Sequence, residues 1–270
     1  MGAFERRQTI LFDLEQHGRV EVAELAYRFG VSLVTLRNDL EGLEQSGLLR
    51  RIRGGAVAVA SPDEGAFEMR LRQSEAAKRA VAKQAARLVV PDDVIAIDSS
   101  TTGHYLAQEL LDVSPLFVVT NGLPTARLFL TQSNATVLMP GGILRRSSES
   151  MTGYLGDVFA DRGQISKGFF GVVGLSLQRG LMDLTPEEAQ AKEAIANICQ
   201  EVYGIFDSSK VGRFATHAFV TPERITQLIS NDGVPPDVHE AWENAGISWT
   251  LVSPTTDSAD PSARTVGRAQ

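Results

Sequence analysis

The 270-residue chain has one cysteine, Cys199, and only four histidines, His17, His104, His217 and His239, spread along its length. One thiol cannot form an internal disulfide, and Cys199 sits in an apolar helical pattern with Ala194, Ile195 and Ile198, so it reads as a buried inert thiol. The histidines show no ligand spacing, so neither a metal nor a cofactor is expected. No apolar run approaches the roughly 18 to 20 residues that a membrane span requires, and Met1 to Arg7 lacks the apolar stretch of a signal peptide. The expectation is a cytoplasmic protein with no membrane partner. No internal repeat is found.

Nor is there an excess of positive charge: the net charge is −7. That balance argues against nucleic-acid binding only while the chain is treated as uniform. In residues 1–56 eight arginines face eight acidic residues, so the segment is neutral and the negative charge lies in the remainder. Arg50, Arg51 and Arg53 form a compact cationic spot able to neutralise phosphates, although a solvated turn would look the same. Hydrophobic residues at 43% and charged residues at 22% allow one or two folded cores.

Apolar periodicity divides the chain. Ile10, Leu11 and Leu14 mark a first helix ended by Gly18, and Val22, Leu25, Ala26 and Phe29 mark a second ended by Gly30. Ser32 is placed to cap a third helix with Leu33, Leu36, Leu40 and Leu43 at spacings of three and four. Two helices joined by Gly30-Val31-Ser32 make a helix-turn-helix. Leu48 to Ile52, Gly54-Gly55 and Ala56 to Val59 read as a β-hairpin, which supplies a wing. The expected boundaries are a winged helix-turn-helix at 1–59, a linker at 60–73, an α/β domain at 74–253 and a disordered tail at 254–270. Within the α/β domain a helix from Ser74 to Val89 precedes strand-like runs at 94–98, 116–120, 136–139, 169–173, 202–207 and 247–252. Their alternation with helical stretches indicates a mainly parallel sheet covered on both faces.

Ser32, Val34, Thr35, Arg37 and Asn38 lie off the apolar face of the third helix. A helix in the major groove reads base edges with such residues, Arg pairing with guanine and Asn with adenine, while the wing arginines meet phosphates or a narrow minor groove. A small helical domain with a polar solvent face is the plainer alternative. In the second domain Asp98-Ser99-Ser100-Thr101-Thr102-Gly103 follows a strand and opens a helix, where hydroxyls and backbone N–H groups favour a phosphate. Capping alone also selects such residues. Thr120-Asn121-Gly122, Pro140-Gly141-Gly142 and Asp207-Ser208-Ser209-Lys210 each follow a strand as well, on the edge where open α/β sheets bind ligands.

The N-terminal residues Val22-Ala23-Glu24-Leu25-Ala26, Val31-Ser32, Thr35-Leu36-Arg37-Asn38-Asp39-Leu40, Leu43, Gly47-Leu48-Leu49-Arg50 and Gly54-Gly55-Ala56 resemble the DeoR-family helix-turn-helix signature. Two positions depart from it: Asn38 stands where a second arginine is common, and Ile52-Arg53 precedes Gly54 where a histidine is usual. The remainder, through Ile97-Asp98-Ser99, Val119-Thr120-Asn121, Gly141-Gly142-Ile143-Leu144-Arg145, Gly153, Phe169-Phe170-Gly171, Gly174, Glu188-Ala189, Lys192 and Asp207-Ser208-Ser209-Lys210, resembles the effector domain of that family. The resemblance implies a Rossmann-like α/β fold similar to ribose-5-phosphate isomerase and glucosamine-6-phosphate deaminase. It also implies a repressor of carbohydrate genes that leaves double-stranded operator DNA when a phosphorylated sugar binds, acting as a dimer or tetramer.

On the same basis Ser99 to Thr102 would hold the phosphate, Asp98, Asn121, Arg145, Glu188 and Lys192 would face the sugar, and Lys210 would add positive charge. Taken as residues alone, Asn121 can equally cap a helix, and Glu188 with Lys192 at i, i+4 can be a surface ion pair. Two functional alternatives stand beside the repressor. One is an activator with the same residues; the other is a sugar-phosphate isomerase or deaminase using Asp183, Glu188 or Asp207 as a general base.

Overall fold

The computed structural model describes residues 2–45, 48–58, 66–153, 164–213 and 215–254. The expected linker stretch at 60–65 and the tail from 255 onward lie outside the described residues. The chain begins with α1 (Ala3–His17), β1 (Arg19–Glu21), α2 (Val22–Phe29), α3 (Leu33–Gln45), β2 (Leu49–Ile52) and β3 (Gly55–Ala58). Gly30 closes α2 at φ +64°, a left-handed conformation that glycine adopts without penalty, and this makes the turn into α3 so short. The Ser32 hydroxyl accepts the Thr35 N–H at 3.0 Å and starts α3. Ile10, Leu14, Leu25, Leu36, Leu40 and Leu43 are buried together, as their spacing predicts.

Two features of this domain were not expected. β1 joins the wing hairpin in a three-stranded sheet ordered β1-β3-β2. Asp39, on the buried side of α3, takes Arg6 Nε and Arg7 Nε on its two carboxylate oxygens, the second at 3.0 Å, and so ties α1 to α3.

The rest of the described chain forms α4 (Phe67–Arg72), α5 (Glu75–Ala86), β4 (Val94–Ile97), α6 (Thr101–Glu109), β5 (Phe117–Thr120), α7 (Leu123–Gln132) and β6 (Thr136–Leu138). It continues with β7 (Ile143–Arg145), β8 (Ser150–Thr152), β9 (Ile165–Phe170), β10 (Gly174–Ser176), β11 (Gly180–Asp183) and α8 (Pro186–Ala196). It closes with β12 (Cys199–Ile205), β13 (His217–Val220), β14 (Gln227–Asn231), α9 (Pro236–Asn244) and β15 (Ser248–Val252). Seven strands build the main sheet in the order β15-β14-β12-β9-β4-β5-β6, and each neighbouring pair is parallel.

Burial explains why these strands read as continuous apolar runs. Ile95, Ile97, Phe169 and Ile229 pack one face against Val81, Leu106 and Phe129 from α5, α6 and α7. Ala96, Phe170, Val202 and Leu228 pack the other face with Ile195 of α8 and Trp242 of α9. Chain order runs outward from β4 through β5 to β6, then resumes on the far side with β9. The order therefore reverses between β4 and β9, where a crevice opens at the carboxyl ends of the strands.

The expected linker differs from the observed one. Residues 67–72 are helical and anchored to the α/β domain. Phe67 meets the His104 ring edge-on at 5.6 Å, Phe67 N–H donates to Ser147 O at 3.0 Å, and Tyr105 Oη donates to Leu71 O at 3.1 Å. Unexpected too are the β7–β8 hairpin and a small antiparallel sheet, β10-β11-β13. Val173, Met182, Leu184 and Ala215 around that sheet share one hydrophobic cluster with the core of the helix-turn-helix. Among the described residues no helix is long and apolar enough to cross a membrane.

Candidate functional sites

On α3 the exposed positions are Leu33, Val34, Arg37, Asn38, Glu41, Glu44 and Gln45. Ser32 is exposed as well, but its hydroxyl is shared with the cap and with Thr35 Oγ1 at 2.9 Å, so both hydroxyls are engaged within the helix start. Arg50, Arg51 and Arg53 are exposed on the wing. Arg51 leans back on α3: its N–H donates to Glu44 Oε1 at 2.7 Å, and its guanidinium lies 4.0 Å from Glu41 and 3.9 Å from Glu44. Arg51 therefore fixes the wing to the helix, and Arg50 and Arg53 are left as the outward cations of the hairpin.

The crevice between β4 and β9 is a cavity of about 400 Å³, within the roughly 300 to 1,000 Å³ usual for small-molecule sites. Ser99 to Thr102 line it at the start of α6, where the Ser100 hydroxyl caps the helix by accepting the Gly103 N–H at 3.0 Å. Arg145, Glu188, Lys192, Asp207 and Lys210 also line it, as expected. Asp98 does not: it is fully buried beneath the loop, accepting Ser100 N–H at 3.1 Å and Gly171 N–H at 2.9 Å. Asn121 is fully buried too, and its amide donates to Met151 O at 3.3 Å, holding the β7–β8 hairpin. Gly141 and Gly142 are exposed ahead of that hairpin and stand apart from the cavity.

The surface ion pair considered for Glu188 and Lys192 is not what forms. Both are buried and each has other partners, because α8 packs on the sheet and turns these residues inward. Lys192 Nζ lies 2.8 Å from Asp98 Oδ2, 2.7 Å from Asp183 Oδ2 and 2.9 Å from Gly171 O, so its three protons are spent within the protein. Burial works against the ammonium, yet the carboxylates of Asp183 and Asp98 outweigh it and lift its pKa above the ordinary lysine value. Lys192 is thus the brace under the 99–102 loop.

Gly171 completes this brace. A β-carbon there would fall 2.3 Å from Ser100 Cβ, so only glycine lets the end of β9 approach the loop. Glu188 is different: Oε1 accepts from Ser148 at 2.8 Å, Ser150 at 2.5 Å and Arg145 at 3.3 Å, while Oε2 is buried with no partner. A buried carboxylate oxygen without a donor is costly, and it lies on the wall of a polar cavity.

The lining residues missed in the sequence include Ser147, Ser148, Thr185 and Arg213, and also Arg70, Gln73, Ser74 and Lys78, which come from the connector α4 and the start of α5. The spacing of the connector residues, near i, i+4 and i+8, was the available signal, hidden because 60–73 lacks apolar periodicity. The connector and the strand ends thus both contribute to the cavity wall.

The fold and its two sites define a class: a DNA-binding regulator with a winged helix-turn-helix and an attached α/β ligand-sensing domain. Residues 6–62 match the DeoR-like helix-turn-helix domain, and residues 73–232 match the DeoR C-terminal sensor domain. The chain belongs to the DeoR family of transcriptional regulators. The HTH-type transcriptional regulator GolR of Listeria innocua is 32% identical over 92% of this chain and 98% of its own length. The L-fucose operon activator of Haemophilus influenzae is 28% identical over 91% of this chain and 99% of its own. Ribose 5-phosphate isomerase A from Neisseria gonorrhoeae overlays on 50% of this chain and 52% of its own at 13% identity and a TM-score of 0.38, a similarity too partial to argue from. Curated relatives across the family are named as transcriptional regulators, so the chain is a regulator and the isomerase or deaminase reading is set aside.

Proposed function

We propose that the chain is a repressor of carbohydrate genes which binds its operator as a homo-oligomer and leaves it when a phosphorylated sugar enters the cavity between β4 and β9. The observation that carries this reading is the cavity itself: hydroxyls and N–H groups at the start of α6 suit a phosphate, while the unpartnered Glu188 Oε2 and Arg145 suit sugar hydroxyls. Lys210 and Lys78 add positive charge to the lining. The relatives support the carbohydrate assignment, since one is named for an L-fucose operon; being an activator, it leaves repression to this chain's own test.

A ligand shifts DNA affinity only through contacts that differ between the two states. The connector α4 supplies such contacts, because Arg70 forms part of the cavity wall and Phe67 is hydrogen-bonded to the Ser147 loop that reaches Glu188. β11 offers a second route, with Asp183 on Lys192 and Met182 in the hydrophobic cluster shared with the helix-turn-helix. The test is thermal unfolding against a panel of phosphorylated sugars and their free counterparts at one ionic strength. A ligand at 100 times its Kd stabilises by about 2.7 kcal/mol, and a stabilising compound should then release operator DNA. Equal shifts for a sugar and its phosphate would refute the phosphate assignment.

A further inference from the structure

α3 carries an oddity on its outer face. Its first two residues are apolar and exposed, Leu33 at 45% and Val34 at 63%. Exposed apolar surface costs hydration free energy, and although leucine favours a helix a β-branched residue does not, so neither hydration nor helix propensity explains Val34. The hydroxyls on either side, Ser32 and Thr35, are bonded to each other and to the helix start. Glu41, farther along the same face, sits beside Arg51 at 4.0 Å. The leading turn of α3 therefore presents methyl groups, with Arg37 and Asn38 immediately behind.

Val34 and Asn38 are one turn apart on a helix and point the same way. In the major groove a base pair offers one apolar feature, the C5 methyl of thymine, and asparagine pairs bidentately with adenine, thymine's partner. We propose that Val34, flanked by Leu33, reads a thymine methyl in each operator half-site, beside the A·T contact made by Asn38. Specificity at that position then rests on a methyl contact and not on a hydrogen bond. This inference rests on α3 being the base-reading helix.

The test uses the full-length chain and a duplex enriched from a random pool by repeated gel-shift selection. Each thymine of the enriched site is replaced in turn by uracil, which lacks only the C5 methyl. Burial of one methyl corresponds to about a fourfold change in Kd. At one thymine per half-site, uracil should weaken wild-type binding by about that factor. In Val34→Ser the same replacement should change Kd less than about 1.5-fold, with unchanged helical circular dichroism and unchanged binding to random-sequence duplex showing that the fold is intact. The proposal is overturned if no thymine responds to uracil, or if Val34→Ser keeps the wild-type uracil penalty. A pool from which no sequence is enriched would remove the base-reading role of α3 altogether, and this inference with it.

Discussion

Replacing Lys192 by Met separates a brace from a ligand contact. The ammonium sits between Asp98 and Asp183, with side-chain exposures of 6%, 0% and 8% respectively. Met fills the place of the aliphatic stem and removes the charge, leaving two buried carboxylates facing each other. Breaking a buried ion pair from one side costs about 3 to 5 kcal/mol, and for a domain of this size each kcal/mol lowers Tm by about 2 to 4 °C. The expected loss in calorimetry is therefore roughly 6 to 20 °C for the sensor domain at neutral pH.

The pH dependence gives a second readout. In the wild type the raised lysine pKa makes this contribution complete below the ordinary value of 10.5, and it fades only as pH rises through the higher native value. It is thus flat between pH 5 and 8. The loss in the variant should therefore be as large at pH 8 as at pH 7, and melts at the two values measure it. A variant that melts within about 2 °C of wild type at both pH 7 and pH 8 would refute the brace.

Four further outcomes follow from the same contacts. Asp39→Ala removes the acceptor of Arg6 and Arg7 and should cost the DNA-binding domain about 3 kcal/mol, abolishing operator binding while the sensor transition stays in place. Gly171→Ala drives a β-carbon to 2.3 Å from Ser100, so the cap of α6 must move; a Tm loss of several degrees and a loss of ligand response should appear with DNA affinity within about twofold. Burial holds the His104 pKa below the ordinary 6.5 despite Glu68, so the unfolded chain binds more protons and stability falls as pH drops through 6.5. His104→Phe should flatten that fall between pH 7 and 5 in thermal melts. Replacing Arg50 and Arg53 together by Ala should lower the slope of log K against log salt by about two if each meets one phosphate, and filter binding at several salt concentrations measures it.

What the sequence disclosed follows the range of the forces involved. The helices of the DNA-binding domain were legible because their signals are local: Leu36, Leu40 and Leu43 lie three and four residues apart, and Gly30 and Ser32 are a stop and a start adjacent in the chain. Ser99 to Thr102 were legible for the same reason, since a strand, a run of hydroxyls and a helix follow one another. β1, only three residues long, was not, because Arg19 to Glu21 become a strand only by pairing with residues 55–57 of the wing.

The cavity shows the limit most clearly. Glu188 and Lys192 share one helix face, so local reasoning joins them to each other. Their partners Asp98, Arg145, Ser150 and Asp183, from the end of β4 and from β7, β8 and β11, lie between 9 and 94 residues away in the chain, and the low dielectric of the interior makes those distant contacts the stronger ones. The connector repeats the lesson in reverse. With no apolar period, residues 66–73 read as spacer, yet Phe67 on His104 and Leu71 O on Tyr105 Oη convert them into a helix and a wall of the cavity. A spacer that walls the cavity cannot stay indifferent to a ligand that fills it, and this makes the segment joining the two domains the first place to look for the signal between them.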